Sequence, residues 1–227
     1  MNGKIVVVTG ASGALGQVVV KMARGRGARV AEIDHAIQAA DGKTADRLQV
    51  GGVDLADAAQ AGQAIAATVA HFGGIDVLIN IAGAFSYQTV GDGDTATWEK
   101  MHRLNLLTAL NASRTAIPHL VASKAGRIVN IGAIGALQAG AGMGPYAASK
   151  SGVHRLTETL AAELKGKVTV NAVLPSTIDT AANRRDMPSA DFSKWVRADE
   201  LAEVILFLAS DAASAVTGAL LPVSGRV

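Results

Sequence analysis

The sequence predicts an α/β fold: a single-domain, Rossmann-like doubly wound parallel sheet of about seven strands with helices on both faces. Three observations predict it. Short apolar runs alternate with longer amphipathic stretches along the whole chain, the pattern of repeated strand–helix–strand units. The short runs are almost wholly apolar, as befits strands buried on both faces. The 227 residues contain no Pro- or Ser-rich linker, so residues 1–227 read as one domain.

The elements follow in order. Residues 4–9 form a strand, because Ile5-Val6-Val7-Val8 ends at Thr9-Gly10 and is too short for a leader or a membrane span. Residues 14–24 form a helix, with Leu15, Val18, Val19 and Met22 on one face. A strand at 29–33 ends in Asp34, and a weaker one at 48–53 carries Gly51 and Gly52. An alanine-rich helix spans 57–72 and a strand 77–81. Residues 97–121 carry a long helical pattern that Pro118 interrupts near its end. A strand at 127–131 precedes a helix at 146–164, with Pro145 at its start where proline is tolerated. A strand at 168–174, a helix at 199–209 and a strand at 220–223 complete the pattern. Residues 82–96 and 176–198 are the longest irregular stretches, and the second reads as a substrate lid.

Composition excludes several function classes. Hydrophobic residues make up 49% and charged residues 18%, enough for a large core and too apolar for disorder. The 21 basic and 19 acidic residues are scattered, which argues against nucleic acid as a partner. No membrane partner is expected either. With no cysteine, disulfides, thiolate catalysis and thiolate metal sites are excluded. A cytoplasmic protein is the plain expectation. His35, His71, His102, His119 and His154 lack ligand spacing and read as surface or packing residues, so no metal is expected.

Ligands in such a sheet sit beyond the carboxyl ends of the strands. There, Thr9-Gly10-Ala11-Ser12-Gly13-Ala14-Leu15-Gly16 joins the first strand to the first helix. Glycines let a backbone approach a pyrophosphate closely, and the helix start offers free N–H groups. Asp34 ends the second strand, 18 residues after Gly16. An acid about 20 residues on bonds the adenosine ribose hydroxyls. Its carboxylate repels a 2′-phosphate, which predicts NAD(H) over NADP(H). No Lys or Arg directly follows Asp34, although Arg29 and Lys43 are near in sequence.

Tyr146 and Lys150 lie four residues apart, one turn on a helical face. A free tyrosine titrates near about 10. A cation within about 4–6 Å lowers that by ~1–3 units, the requirement for a general acid/base.

These motifs together resemble the short-chain dehydrogenase/reductase family over nearly the whole chain. The loop from Thr9 to Gly16 is similar to its Thr-Gly-x-x-x-Gly-x-Gly motif, with Ala14 at the middle glycine. Asn80-Ile81-Ala82-Gly83 resembles its Asn-Asn-Ala-Gly motif, with Ile81 as a departure. Asp54 falls where the family places an acid near the adenine. Asn105, Tyr146 and Lys150 match three members of the catalytic tetrad. Asn171-Ala172-Val173-Leu174-Pro175, Ile178 and Thr180 match the segment that cradles the nicotinamide, with Ser176 in place of a glycine. Thr217-Gly218 matches the entry to the last strand.

The resemblance implies roles. Tyr146 gives or takes the proton, Lys150 lowers its pKa and holds the nicotinamide ribose, and Asn105 holds a relay water. Gly10, Ser12, Gly13, Ala14, Leu15, Gly16, Asp34, Asp54, Asn80, Ala82, Gly83, Tyr146, Lys150, Pro175, Ile178 and Thr180 are the implied cofactor-binding set. The family's pairing of its two long helices implies a homodimer or homotetramer. Ala109, Ala112, Ala116, Ala161 and Ala162 are small enough for close helix contact.

One departure bears on the substrate. The family's catalytic serine sits 13 residues before the tyrosine, where this chain has Ala133. Losing one such donor costs roughly 10²–10³ in rate for an ordinary ketone. Ser86, Ser149 and Ser176 are the candidate substitute hydroxyls. The dihydropteridine reductase branch also carries alanine there and uses NADH. The run Met187-Pro188-Ser189-Ala190-Asp191-Phe192-Ser193-Lys194-Trp195 is similar to that branch, as is Val153-His154-Arg155-Leu156. Phe85 falls where the branch has an aromatic residue near the pterin. Phe85, Ala133, Tyr146 and Trp195 are thus the expected substrate-binding residues. Three readings stand: reductase of a quinonoid dihydropterin-like ring, general carbonyl or alcohol oxidoreductase, and non-catalytic NAD-binding protein.

Overall fold

The computed structural model describes residues 1–36 and 43–226. Its strands are β1 (Ile5–Thr9), β2 (Arg29–Ile33), β3 (Arg47–Val50), β4 (Val77–Asn80), β5 (Gly126–Ile131), β6 (Val168–Pro175), β7 (Ile178–Asp179), β8 (Val196–Arg197) and β9 (Leu220–Val223). Seven build one sheet in the order β3-β2-β1-β4-β5-β6-β9, and β7 pairs separately with β8. Every pairing between these strands is parallel. The helices are α1 (Ala14–Gly25), α2 (Ala58–Phe72), α3 (Thr95–Met101), α4 (Thr108–Ala122), α5 (Gly144–Glu163), α6 (Ala181–Asp186) and α7 (Ala198–Leu208). The expected doubly wound parallel sheet is therefore present.

The first strand shows why its residues are all apolar. Successive side chains of a strand point to opposite faces. Ile5 and Val7 enter the core under α2, α4 and α5, beside Ala61, Ile65 and Leu120. Val6 and Val8 enter the core under α1 and α7, beside Val19, Leu201 and Ile205. Both faces are covered, so no polar alternation survives.

β1 pairs with β2 on one side and with β4 on the other, placing Thr9 beside Asn80. The strand order reverses there, and a crevice opens beyond the carboxyl ends.

Four sequence expectations are corrected. The third strand ends at Val50, not Val53, because Gly51 and Gly52 follow it and Gly52 takes a positive φ of 70°. The long helical pattern divides into α3, a π-helical stretch at His102–Leu107 and α4. Pro118 does not end α4, which runs on to Ala122 with Ala116 and Leu120 wholly buried. Packing of that face sustains the helix past a missing N–H. Finally, of the five small residues expected at a helix contact, Ala109, Ala112, Ala116 and Ala161 are buried within this chain, and Ala162 alone is exposed. Among the described residues, no helix is long and apolar enough to cross a membrane, and no group of three or more His, Asp or Glu residues could hold a metal ion.

Candidate active site

A cleft of about 630 Å³ runs along the carboxyl ends of the strands, from Gly10 and Ser12–Leu15 past Asp34 and His35 to Val53–Leu55. Residues 81–84 form its other wall, with Arg103, Leu104 and Thr108 beyond. The glycine loop fits a pyrophosphate cradle. Gly10 has a φ of 65°, and a Cβ there would lie 2.8 Å from the Ala82 nitrogen. A Cβ on Gly16 would lie 2.1 Å from the Gly10 carbonyl oxygen, so α1 begins hard against the loop. Among the described residues, no side chain caps the start of α1. Its first N–H groups are thus the kind of donors an anion uses.

Asp34 faces this loop. Its carboxylate accepts the Ser12 and Ala36 amide hydrogens, each at 2.9 Å. Burial pushes its pKa up, but the hydrogen bonds from Ala36 and Ser12 overcome this and hold it below the usual carboxylate range. Asp54 lies further along, ion-paired to Arg103 and accepting the Ala56 amide hydrogen at 2.9 Å. Arg29 lies at the opposite end of β2, donating to the Gly3 and Phe72 carbonyls, each at 3.4 Å.

Not every implied cofactor residue lines the cleft. Gly16 is not among the residues that line it. Asn80 is buried, and its amide donates to Ser113 at 3.0 Å and Asn130 at 2.8 Å, tying β4 to α4 and β5. Pro175 ends β6, Ile178 lies in β7, and Thr180 caps α6 by accepting the Asn183 amide hydrogen at 3.1 Å.

Helix α5 carries Tyr146 and Lys150 one turn apart, as expected. Lys150 is buried, and its Nζ donates to the Ile131 carbonyl at 2.8 Å. Burial pushes its pKa down to about 8. Tyr146 is half-buried, with the Phe85 ring edge-on at 5.0 Å between centroids. Burial pushes its phenol up to about 12. Loss of hydration disfavours the phenolate, and the ammonium hydrogen bond goes to Ile131 rather than to the phenol.

Asn105 sits in the π-helical stretch, a distortion that often marks functional sites. Its Oδ1 accepts the Ala84 amide hydrogen at 2.8 Å, and its Nδ2 donates to the Ala84 carbonyl at 3.0 Å and the Ser149 hydroxyl at 2.9 Å. A Cβ on Gly83 would lie 2.6 Å from Asn105 Oδ1 and 3.3 Å from Lys150 Nζ. Asn105, Gly83 and Lys150 therefore meet at one point.

Ala133 follows β5 and offers no side-chain donor. Its backbone groups are also taken: its N–H donates to His154 Nε2 at 3.3 Å, and its carbonyl accepts the Ala136 amide hydrogen at 3.1 Å. Two of the three candidate hydroxyls are spent. Ser149 donates to the Tyr146 carbonyl and Ser176 to the Ser224 carbonyl, each at 2.7 Å. Ser86 has no such bond among the described residues. Trp195 is buried against Phe192, with ring centroids 4.8 Å apart, whereas Phe85 is exposed.

Sequence reasoning missed His154 and Arg103. The spacing 146, 150, 154 was the available signal for the first, since it continues one helical face. Arg103 offered none, because its pairing with Asp54 spans 49 residues.

Residues 4–190 match the family model for short chain dehydrogenases. The chain is 30% identical to 2-(S)-hydroxypropyl-CoM dehydrogenase 3 of Xanthobacter autotrophicus, covering 99% of this chain and 96% of that protein. It is 31% identical to the 3-oxoacyl-acyl-carrier-protein reductase FabG of Thermotoga maritima, covering 99% and 98%. Among solved structures it is similar to ligand-free aldohexose dehydrogenase from Thermoplasma acidophilum, with a TM-score of 0.88, 27% identity, and 99% and 94% of the two chains covered. The fold agrees with these matches, and the chain belongs to the short-chain dehydrogenase family.

Proposed function

We propose that this protein is an NADH-dependent oxidoreductase that reduces a flat, quinonoid dihydropterin-like ring, with Tyr146 as proton donor. The observation that carries the substrate class is the state of Ala133. Neither its side chain nor its backbone has a hydrogen to give a substrate oxygen. A ketone depends on such a donor for roughly 10²–10³ in rate. A quinonoid ring spreads the incoming charge and depends on it less. Phe85, exposed beside Tyr146, offers a face for stacking.

A bound nicotinamide cofactor supplies the hydride. The chain's own residues do the rest. Asp34 would receive the adenosine ribose, and among the described residues no basic side chain is hydrogen-bonded to it, which supports NADH over NADPH. The Gly10–Gly16 loop would receive the pyrophosphate, with Asp54 and Arg103 lining the cleft where an adenine would lie and Ala82 and Gly83 lining it where a nicotinamide would lie. Pro175 leads into the lid of residues 176–198, which contains Ile178 and Thr180. Within that lid Arg184 pairs with Asp179 and lies 4.7 Å from the centre of the Phe192 ring, and Trp195 stiffens it by packing. Tyr146 holds its proton throughout the neutral range and releases it to the reduced substrate. Lys150 remains charged at neutral pH beside it, which favours the phenolate left behind. Asn105 holds the loop of Ala84 in place and a relay water.

A general carbonyl or alcohol substrate is the second reading. The uncommitted Ser86 hydroxyl favours it, as do the hydroxypropyl-CoM and aldohexose dehydrogenases among the similar proteins. Exposed Leu110 and Val121 on α4 support a homodimer or homotetramer, which sedimentation at micromolar concentration tests. Replacing Tyr146 with Phe tests the proton donor. Turnover with NADH should vanish while NADH still binds, and surviving turnover would overturn the mechanism.

A further inference from the structure

We propose that His154 is a positioning residue of the active site, holding the turn at 131–133 by accepting the Ala133 amide hydrogen. Three residues of α5 lie on one face at successive turns: Tyr146, Lys150 and His154. The last two reach the same segment. Lys150 donates to the Ile131 carbonyl at 2.8 Å, and His154 Nε2 receives the Ala133 N–H at 3.3 Å. Donor meets acceptor in opposite senses two residues apart, so the segment is held in position and in orientation.

The fit is specific to an imidazole. His154 is 2% exposed, and a Cβ on Gly132 would lie 2.5 Å from its Nε2 and 2.7 Å from its Cδ2. Gly132 therefore leaves the space that the ring occupies. An apolar side chain could fill that space, but it would leave the Ala133 N–H buried without an acceptor. To accept, the imidazole must be neutral with its proton on Nδ1. Burial, followed by the nearby Arg155 and Lys150 cations, lowers its pKa and keeps it so.

This role differs from that of the three reacting-site residues. His154 acts on the protein backbone, and through it sets where Ala133 stands and denies its N–H to any substrate oxygen.

Two variants test this, His154→Leu and His154→Gln. The glutamine carbonyl can accept the Ala133 N–H and the leucine cannot. Hydrogen exchange at the Ala133 amide is the first readout, and needs no substrate. Exchange should rise about tenfold in His154→Leu and return most of the way in His154→Gln. The second readout, which rests on the oxidoreductase reading, is kcat and KM with NADH and quinonoid dihydropterin. There kcat should fall about tenfold in the leucine variant with KM for NADH unchanged, and the glutamine variant should recover it. Unchanged Ala133 exchange in His154→Leu overturns the proposal. So does equal loss in both variants with a common fall in Tm, which is the mark of packing alone. If His154→Leu does not fold, His154→Gln decides: a protected Ala133 amide supports the proposal and an unprotected one overturns it. If dihydropterin is not turned over by the unaltered protein, the exchange result still decides.

Discussion

Asn105 grips Ala84 from both sides, accepting its N–H at 2.8 Å and donating to its carbonyl at 3.0 Å. A side-chain amide here takes the place of a strand partner. It fixes the loop after β4, one wall of the cleft, to the π-helical stretch. In Asn105→Ala both Ala84 groups lose their partner. Stability should fall by about 1–3 kcal/mol, read from urea unfolding. NADH affinity, read by fluorescence titration, should fall with it because Gly83 and Ala84 border the cleft.

Ala133→Ser should restore the missing donor. The change adds one oxygen to a Cβ already present, so the fold should be unaffected. The kcat/KM for simple ketones should rise about 10²-fold, while that for quinonoid dihydropterin stays about the same. A steady-state comparison of the two enzymes checks this, and unchanged ketone activity would count against the argument from Ala133.

Lys150 sets a pH dependence. Its folded pKa of about 8 lies below its ordinary 10.5 because of burial. Below about 8 both folded and unfolded chains carry the proton, and folding bears the whole cost of burying the charge. Between about 8 and 10.5 only the unfolded chain binds it, so this group makes stability rise with pH. Lys150→Met should accordingly be more stable than the native protein at pH 7 in urea unfolding, and inactive. Reductive kcat/KM should fall above about pH 8 as the ammonium is lost, while Tyr146, pushed up to about 12, stays protonated across that range.

Asp34 should govern cofactor choice. In Asp34→Ala the repulsion of a 2′-phosphate is gone, and so is a ribose partner. The ratio of kcat/KM with NADH to that with NADPH should fall at least about tenfold. An unaltered ratio would place the selectivity elsewhere.

Much of this was legible in the sequence, for physical reasons. Val6, Val7 and Val8 form a run that only a strand covered on both faces explains, and the structure puts them in two cores. Tyr146 and Lys150 share a face because helical periodicity guarantees it. Other features were not local. The π-helical stretch around Asn105 has no residue pattern of its own and arises where α3 and α4 join. The buried alanines of α4 read equally well as an outer contact, and only the tertiary structure shows them facing inward. The raised phenol of Tyr146 depends on burial, which spacing cannot report. In the sequence His154 looks like any of the five histidines, because its partner is a backbone amide, which leaves no residue type to recognise.

The central claim is that Tyr146 works in a site where position 133 gives the substrate no hydrogen bond. The most direct measurement is a paired NADH assay of quinonoid dihydropterin against a panel of simple ketones. A kcat/KM at least about 10²-fold higher for the dihydropterin is the predicted result. Ketone reduction of equal or greater efficiency would contradict it.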